Sequence, residues 1–100
     1  MFISFVIQVD PIATTIEHEV KGLDDREVVE VVAAGIDNAL GNGSAKLILK
    51  CLKTVHNFDA SPRSIKRGEF DSLLLNLVGE MAYRYIILHI NFEKEARRDS

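Results

Sequence analysis

Apolar residues recur at helical spacing along most of the chain, and glycine or helix-capping residues separate the stretches. The pattern predicts a first helix that ends at Val20, a second over residues 25–40 and a third over residues 44–56. Asp24, followed by Glu27 three positions later, is typical of a capping box at the start of the second helix. The loops between these helices are only two to four residues long. The sequence therefore predicts antiparallel neighbours in a compact, mainly α bundle of about four helices.

Residues 1–9 follow a different pattern, in which apolar and polar positions alternate as in a short β-strand. Asp10 and Pro11 then supply a helix cap and a first helical residue. A lone strand needs partners for its backbone hydrogen bonds, so we expect it to pair with the same segment of another chain or with residues 27–32. The alternative is an apolar lead-in that packs irregularly on the helices.

The C-terminal third of the chain predicts one long helix. Ser61 and Pro62 predict a single helical turn, closed by Gly68, before this final helix over residues 69–97. At about 1.5 Å per residue the helix would be about 40 Å long, whereas a domain of this size is roughly 30 Å across. We therefore expect it to protrude or to pair with another chain. Its apolar stripe comprises Phe70, Leu74, Leu77, Val78, Met81, Tyr85, Leu88 and Phe92.

Composition restricts the class of protein. The 100 residues are 47% hydrophobic, which is enough for one core, and we expect residues 1–100 to form a single domain. No apolar run approaches the roughly 20 residues of a membrane span, and residues 1–9 lack the basic flank and cleavage site of a signal peptide. The single Cys51 has no intrachain disulfide partner. This composition favours a reducing, cytoplasmic compartment and no membrane partner.

The net charge of -3 conceals an uneven distribution. Residues 1–42 carry eight acids and two bases, whereas residues 43–68 carry six bases and one acid. These bases suit the phosphates of a nucleic acid, or an acidic face within one chain or across a dimer. We favour partner binding or self-association, because the pI is near 5.5 and Phe58 is the only aromatic residue in the segment. The candidate residues, called the basic segment below, are Lys46, Lys50, Lys53, Arg63, Lys66 and Arg67.

The residues that most often carry out catalysis are not arranged for it. None of the three histidines has a histidine or cysteine three or four residues away, so we expect no metal site. Cys51 borders an apolar stripe, and we expect a small buried side chain there and not a nucleophile. Gly41 and Gly43 follow a helix and lack the remainder of a phosphate-binding motif. The sequence therefore predicts no enzyme and no cofactor.

Tyr85, on the apolar stripe, is expected in the core or at a dimer contact, and Tyr83 beside it is expected to be exposed.

Between positions 36 and 92, apolar residues and two glycines occur at the spacing of a known family. The set includes Leu40, Gly41, Phe70, Leu74, Val78, Gly79, Glu80 and Ala82. It resembles the fifth class of Nitrosopumilus output domains, an archaeal family of small helical domains. The resemblance implies a protein-interaction or signal-output role and assigns no catalytic residue. Residues 1–9 lie outside it, and the connector between the third and last helices is basic here where the family pattern is acidic.

These observations together predict a non-enzymatic helical domain that binds other proteins and associates with itself. We expect a homodimer that forms through residues 1–9 or through the final helix. The alternative is a nucleic-acid-binding accessory protein that uses the basic segment.

Overall fold

A computed structural model describes residues 14–98, and these residues form six α-helices. Four helices have ten or more residues and two have five, which confirms the mainly α bundle. The predicted strand over residues 1–9 lies outside the described residues. The suggestion that residues 27–32 form a strand is wrong, because they lie within a helix. The helices are α1 (Ile16–Val20), α2 (Asp25–Leu40), α3 (Ser44–His56), α4 (Pro62–Lys66), α5 (Glu69–Val78) and α6 (Glu80–Arg98).

Helices α2 and α6 form the central pair, and the other helices pack around them. Helix α3 packs on α2 and α5 packs on α6, while α1 and α4 contact each other and α5. One hydrophobic core runs through this arrangement. The core side chains of the central pair are Val28, Val31, Val32 and Ile36 from α2, and Tyr83, Ile86, Ile87 and Ile90 from α6.

The central pair approaches most tightly at Gly35. A β-carbon placed on Gly35 would lie 3.0 Å from the backbone nitrogen of Ile90 and 3.1 Å from its Cα, and closer still to its side chain. Glycine in a helix interior costs about 1 kcal/mol of stability relative to alanine. It is retained here because the absent side chain lets the two backbones come into contact.

The predicted final helix over residues 69–97 is wrong as a single element, because it breaks at Gly79. This residue has φ 90° and ψ 164°, a conformation that ends α5 and that residues with side chains rarely adopt. Helix α6 then starts with a new orientation and buries Tyr83, Ile86 and Ile90. The predicted apolar stripe is therefore only partly buried. Phe70 and Leu74 at the start of α5 are buried, whereas Leu77 near its end and the four members on α6 are exposed.

The start of α1 is held by two side chains. The Thr15 hydroxyl accepts a hydrogen bond from the His18 amide, and the Asp71 carboxylate accepts from the amides of Ile16 (2.8 Å) and Glu17 (3.0 Å). These are the first three amides of the helix, which have no acceptor within it. The expectation that this helix starts at Asp10 is wrong, because Thr15 is extended and acts as its N-cap.

Tyr83 joins the same cluster from α6. Its hydroxyl donates to an oxygen of Asp71. Burial raises the pKa of the Tyr83 hydroxyl, and the hydrogen bond and negative charge of Asp71 raise this pKa further. Tyr83 is therefore a buried neutral donor, and the expectation that it is exposed is wrong. Asp71 joins three helices, because α5 carries it, α1 is capped by it and α6 donates to it.

A carboxylate from another helix also supports the start of α3. Asp37 on α2 accepts a hydrogen bond of 2.9 Å from the Ala45 amide, beside the left-handed N-cap Gly43. The predicted bounds of α2 and α3 are confirmed. The predicted capping box at Asp24 is wrong, because that side chain makes no capping hydrogen bond. The predicted single turn, α4, is confirmed, and Ser61 caps it.

We predict that Gly35→Ala destabilises the fold by about 1–2 kcal/mol. Alanine gains helix propensity, but overpacking against the backbone of Ile90 outweighs that gain. Asn38→Ala is the matched control, because Asn38 is exposed on the same helix and the change adds only propensity. Urea unfolding monitored by circular dichroism measures both variants. A Gly35→Ala protein as stable as the Asn38→Ala protein would contradict the close contact.

Candidate interaction surface

Four large apolar side chains form a stripe along the outer face of α6. Met81 is 85% exposed, Tyr85 49%, Leu88 45% and Phe92 55%. At 100° per residue the four fall within about 60° of one another, opposite the face that enters the core. A helix that is apolar on both sides is typically covered on both sides. These four residues are called the outer stripe below.

An aromatic ladder holds part of the outer stripe in place. The His89 ring packs edge-on against Tyr85, with ring centroids 4.6 Å apart, and against Phe92, with centroids 5.6 Å apart. Both contacts have the perpendicular geometry that aromatic pairs favour. The outer stripe therefore presents ordered side chains, and less conformational entropy is lost when a partner covers them.

A groove of about 760 Å³ runs beside the outer stripe. Met81, Tyr85 and Leu88 of the stripe line one wall, and Leu40 at the end of α2 contributes to the lining. Thr14 and Glu19 supply polar atoms from the chain segment before α1 and from α1 itself. A mainly apolar concave surface with a few polar groups is typical of binding sites.

Glu19 is the acidic residue in the lining of this groove, and it is 9% exposed. Its carboxylate accepts hydrogen bonds from Asn91 (3.1 Å), Lys94 (3.2 Å) and Thr14 (3.2 Å). Burial raises the pKa of Glu19, but these three donors and the charge of Lys94 together hold this pKa below its ordinary value. Glu19 is therefore ionised and fully engaged within the fold.

The basic segment is divided between separate elements. Lys46, Lys50 and Lys53 are exposed on α3, which packs on α2, whereas the other three bases belong to α4 and its end, which pack on α1, α2 and α5. Several of the six have acidic partners. The ion pairs are Lys53–Asp59 (2.9 Å), Lys66–Asp25 (3.0 Å) and Arg67–Glu69 (3.6 Å).

Two of the acidic residues of α2 that could have faced the basic segment, Glu30 and Asp37, are engaged elsewhere. Glu30 pairs with Arg97 of α6 at 3.1 Å, and Asp37 caps α3. Within residues 14–98 the pair between Lys66 and Asp25 is the one ion pair that joins the basic segment to the acidic residues of α2. Lys46, Lys50 and Arg63 have no ion pair with any described residue.

The sequence pattern indicates Tyr85 as a candidate interface residue. It does not indicate that the other members of the outer stripe are exposed. If the helix continued through residue 79, one face of it would carry Met81, Leu88 and Phe92 together with the buried Phe70 and Leu74. The sequence pattern therefore predicts a single stripe. Gly79 was the available signal, because a glycine inside a helical pattern also marks a helix end.

The described residues do not bring together a set of metal ligands. Within residues 14–98 no three side chains of the His, Cys, Asp and Glu types converge on one point. Cys51 is half-buried on the outer side of α3, between exposed Leu47 and Val55, so the expectation of a fully buried thiol is wrong. No buried side-chain nitrogen or oxygen in the same range lacks a hydrogen-bond partner.

Comparisons with known proteins add no relative: no family model, no curated protein and no solved structure matches this chain. Among the described residues no helix combines the length and the hydropathy needed to cross a bilayer.

We predict that Glu19→Gln lowers stability at neutral pH by about 1–3 kcal/mol, because a charged acceptor of three hydrogen bonds is lost. The folded-state pKa of Glu19 lies below its ordinary value of 4.5, so the stabilising effect is full above that pH. It disappears as pH falls through the lower folded-state pKa. Urea unfolding of both proteins at neutral and acidic pH measures this convergence.

Glu17→Gln is the control for this experiment, since Glu17 is exposed on the same short helix. A difference between wild type and Glu19→Gln that stays constant down to acidic pH would contradict an ionised Glu19.

Proposed function

We propose that this chain is a non-enzymatic protein-interaction domain that associates with a second copy of itself through the outer stripe of α6. The observation that carries the proposal is the exposure of Met81, Tyr85, Leu88 and Phe92 on a helix whose opposite face is already buried. Exposed apolar patches of this kind mark interaction sites on soluble domains.

The spacing of the outer stripe suits pairing between identical helices. Its members are separated by four, three and four residues, so the order is the same read in either direction. In an antiparallel pair related by a two-fold axis, Met81 of one copy faces Phe92 of the other, and Tyr85 faces Leu88. Every member of the stripe then has an apolar partner, as a two-fold symmetric interface requires.

The size of the outer stripe determines how strong the pairing is. From Met81 to Phe92 it extends about 17 Å along the helix. A patch of that length covers less than the roughly 800 Å² per partner that is typical of stable complexes. We therefore propose a weak, reversible homodimer that responds to protein concentration and to competing partners.

The resemblance to the archaeal output domains supports the same class of function. It implies a small helical domain that passes a signal by contacting another protein, and a reversible interaction surface is suited to that role. We propose a cytoplasmic location on the ground that Cys51, the single cysteine, is a free thiol in this structure.

A nucleic-acid-binding role stays an alternative because of two exposed lysines. Lys46 and Lys50 lie on α3 and have no ion pair among the described residues, so they are available to neutralise phosphates. The division of the basic segment between α3 and α4 favours the interaction-domain proposal over this one.

For the leading proposal, we expect the average mass in sedimentation experiments to rise above the 11.2 kDa of one chain as concentration increases. Tyr85→Glu with Leu88→Glu places charge at the centre of the contact and abolishes this rise. Leu47→Glu is the matched control, because Leu47 is 69% exposed on α3 and far from the proposed contact in sequence. A wild-type mass that stays at one chain at every concentration would refute self-association.

For the alternative, we expect fluorescence anisotropy to detect binding of a labelled oligonucleotide at low salt. The logarithm of the affinity falls with the logarithm of salt concentration by about 0.9 per phosphate contacted. Lys46→Glu with Lys50→Glu abolishes this binding, whereas Lys21→Glu, outside the basic segment, has little effect. An absence of binding at low salt excludes the alternative.

A further inference from the structure

Helix α3 carries a second apolar surface, separate from the outer stripe. Leu47 is 69% exposed and Val55 66%, and Cys51 between them is half-buried. The three residues are four positions apart, so they form a single row about 12 Å long on the surface of the helix. This row is called the α3 ridge below.

The position of α3 in the fold leaves the α3 ridge uncovered. Helix α3 packs on α2, and its buried residues are Ala45, Ile48 and Leu52. On a helical wheel the α3 ridge lies about 90° away from these residues, at the side of the contact with α2. The described part of the chain therefore leaves Leu47 and Val55 open to solvent.

Unpaired positive charge lies beside the α3 ridge. Helix α3 contains three lysines and no acidic residue. Lys53 is paired with Asp59 at 2.9 Å, whereas Lys46 and Lys50 are exposed and have no ion pair with any described residue. On the helical wheel Lys50 is about 60° and Lys46 about 100° from Leu47, on the flank that faces away from the core. The complementary surface is therefore apolar with an acidic flank.

We propose that the α3 ridge and its two unpaired lysines bind an amphipathic helix of a partner protein. Rows of residues four positions apart are the ridges that enter the grooves of a second helix in the commonest class of helix packing. Apolar residues of the partner helix cover Leu47 and Val55, and its carboxylates pair with Lys46 and Lys50. This surface is additional to the outer stripe and does not depend on the self-association proposed above.

The charge of α3 opposes a second copy as the occupant of this surface. If two copies paired through their α3 ridges, the lysines of one would lie beside the lysines of the other. Neither α3 helix has a carboxylate to place between them. Like charges brought together in an interface disfavour the association, so the expected partner is a different, acidic helix.

The α3 ridge also distinguishes a protein partner from other polyanions. The phosphates of a nucleic acid would neutralise Lys46 and Lys50, but they would leave Leu47 and Val55 in contact with water. Helices that lie on anionic membranes have a wide apolar face rich in Trp, Phe and Leu, whereas the α3 ridge has one leucine and no aromatic residue. An acidic helix matches both the apolar and the basic part of the surface.

Two synthetic peptides provide the probes. Each is an alanine-rich helix of about 15 residues with three leucines four positions apart. The residues beside the leucines are glutamates in one peptide and lysines in the other. In fluorescence anisotropy we expect the full chain to bind the glutamate peptide about tenfold more tightly than the lysine peptide. A glutamate peptide with serines in place of the leucines is expected to lose binding by a similar factor.

Cys51 reports whether the bound peptide lies on the α3 ridge. It is the single cysteine of the chain and a free thiol, and it lies between Leu47 and Val55. The rate of its alkylation by iodoacetamide therefore measures coverage of the ridge. We expect the glutamate peptide to slow alkylation in proportion to the fraction of the chain that is bound. Binding that leaves the rate unchanged would place the peptide elsewhere and overturn the proposal.

A charge exchange tests the role of the two lysines. Lys46→Glu with Lys50→Glu is expected to reverse the preference, so that the lysine peptide binds about tenfold more tightly than the glutamate peptide. Lys21→Glu with Arg98→Glu is the matched control, because both residues are exposed outside α3 and the net charge changes equally. The control variant is expected to keep the wild-type preference.

Leu47→Ser with Val55→Ser removes the α3 ridge at two exposed positions, so the fold is retained and binding of the glutamate peptide is lost. Equal wild-type affinity for the two charged peptides, or binding that survives this change, contradicts the proposal. So does binding of an oligonucleotide or a phosphatidylserine vesicle in place of the glutamate peptide. A monomeric wild type that binds the glutamate peptide as described refutes the proposed self-association alone.

Discussion

The close contact between α2 and α6 at Gly35 sets the geometry on which the other helices depend. With no side chain at that position, Ile90 and the residues around it reach the valine-rich face of α2, and the two longest helices become one unit. Each of the other four helices contacts α2 or α6. The valines of α2 have modest helix propensity, so burial against α6 supplies the stability that local preference does not. This contact determines which face of α6 is buried, and so it also determines which face is exposed to solvent.

Gly79 determines which apolar residues are used for the core. A continuous helix would carry the phase of Phe70 and Leu74 forward to Met81, Tyr85 and Leu88. The break changes the rotation of α6 about its axis. Tyr83 and Ile86 therefore enter the core, and Met81, Tyr85 and Leu88 face outward. The break at Gly79 thus changes which face of the following helix enters the core. The same rotation places the Tyr83 hydroxyl next to Asp71. The break at Gly79 therefore also positions a donor to the carboxylate that caps α1.

Local signals were sufficient to predict the elements that are joined by short loops. The bounds of α2 and α3 follow from helical spacing and the glycines near residue 42, although Asp24 makes no capping hydrogen bond, and the single turn at α4 follows from Ser61-Pro62. The phase of α6 could not be predicted, because both of its faces are apolar and periodicity alone does not say which is inside. A glycine within a helical pattern also permits either continuation or a break, and tertiary packing decides between them. The groove could not be predicted for a related reason, since it combines α1, the end of α2 and α6 across more than 70 residues of sequence.

The long-range cap of α1 has a consequence for the order of events in folding. A five-residue helix has no stability of its own, and two of its first amides find their acceptor on Asp71, 55 and 54 positions away. Helix α1 therefore forms together with its contact to α5 and not as an isolated helix. Because α1 carries Glu19, the polar side of the groove depends on this long-range cap. The apolar side belongs to α6 itself, so the two sides of the groove differ in how directly they depend on one carboxylate.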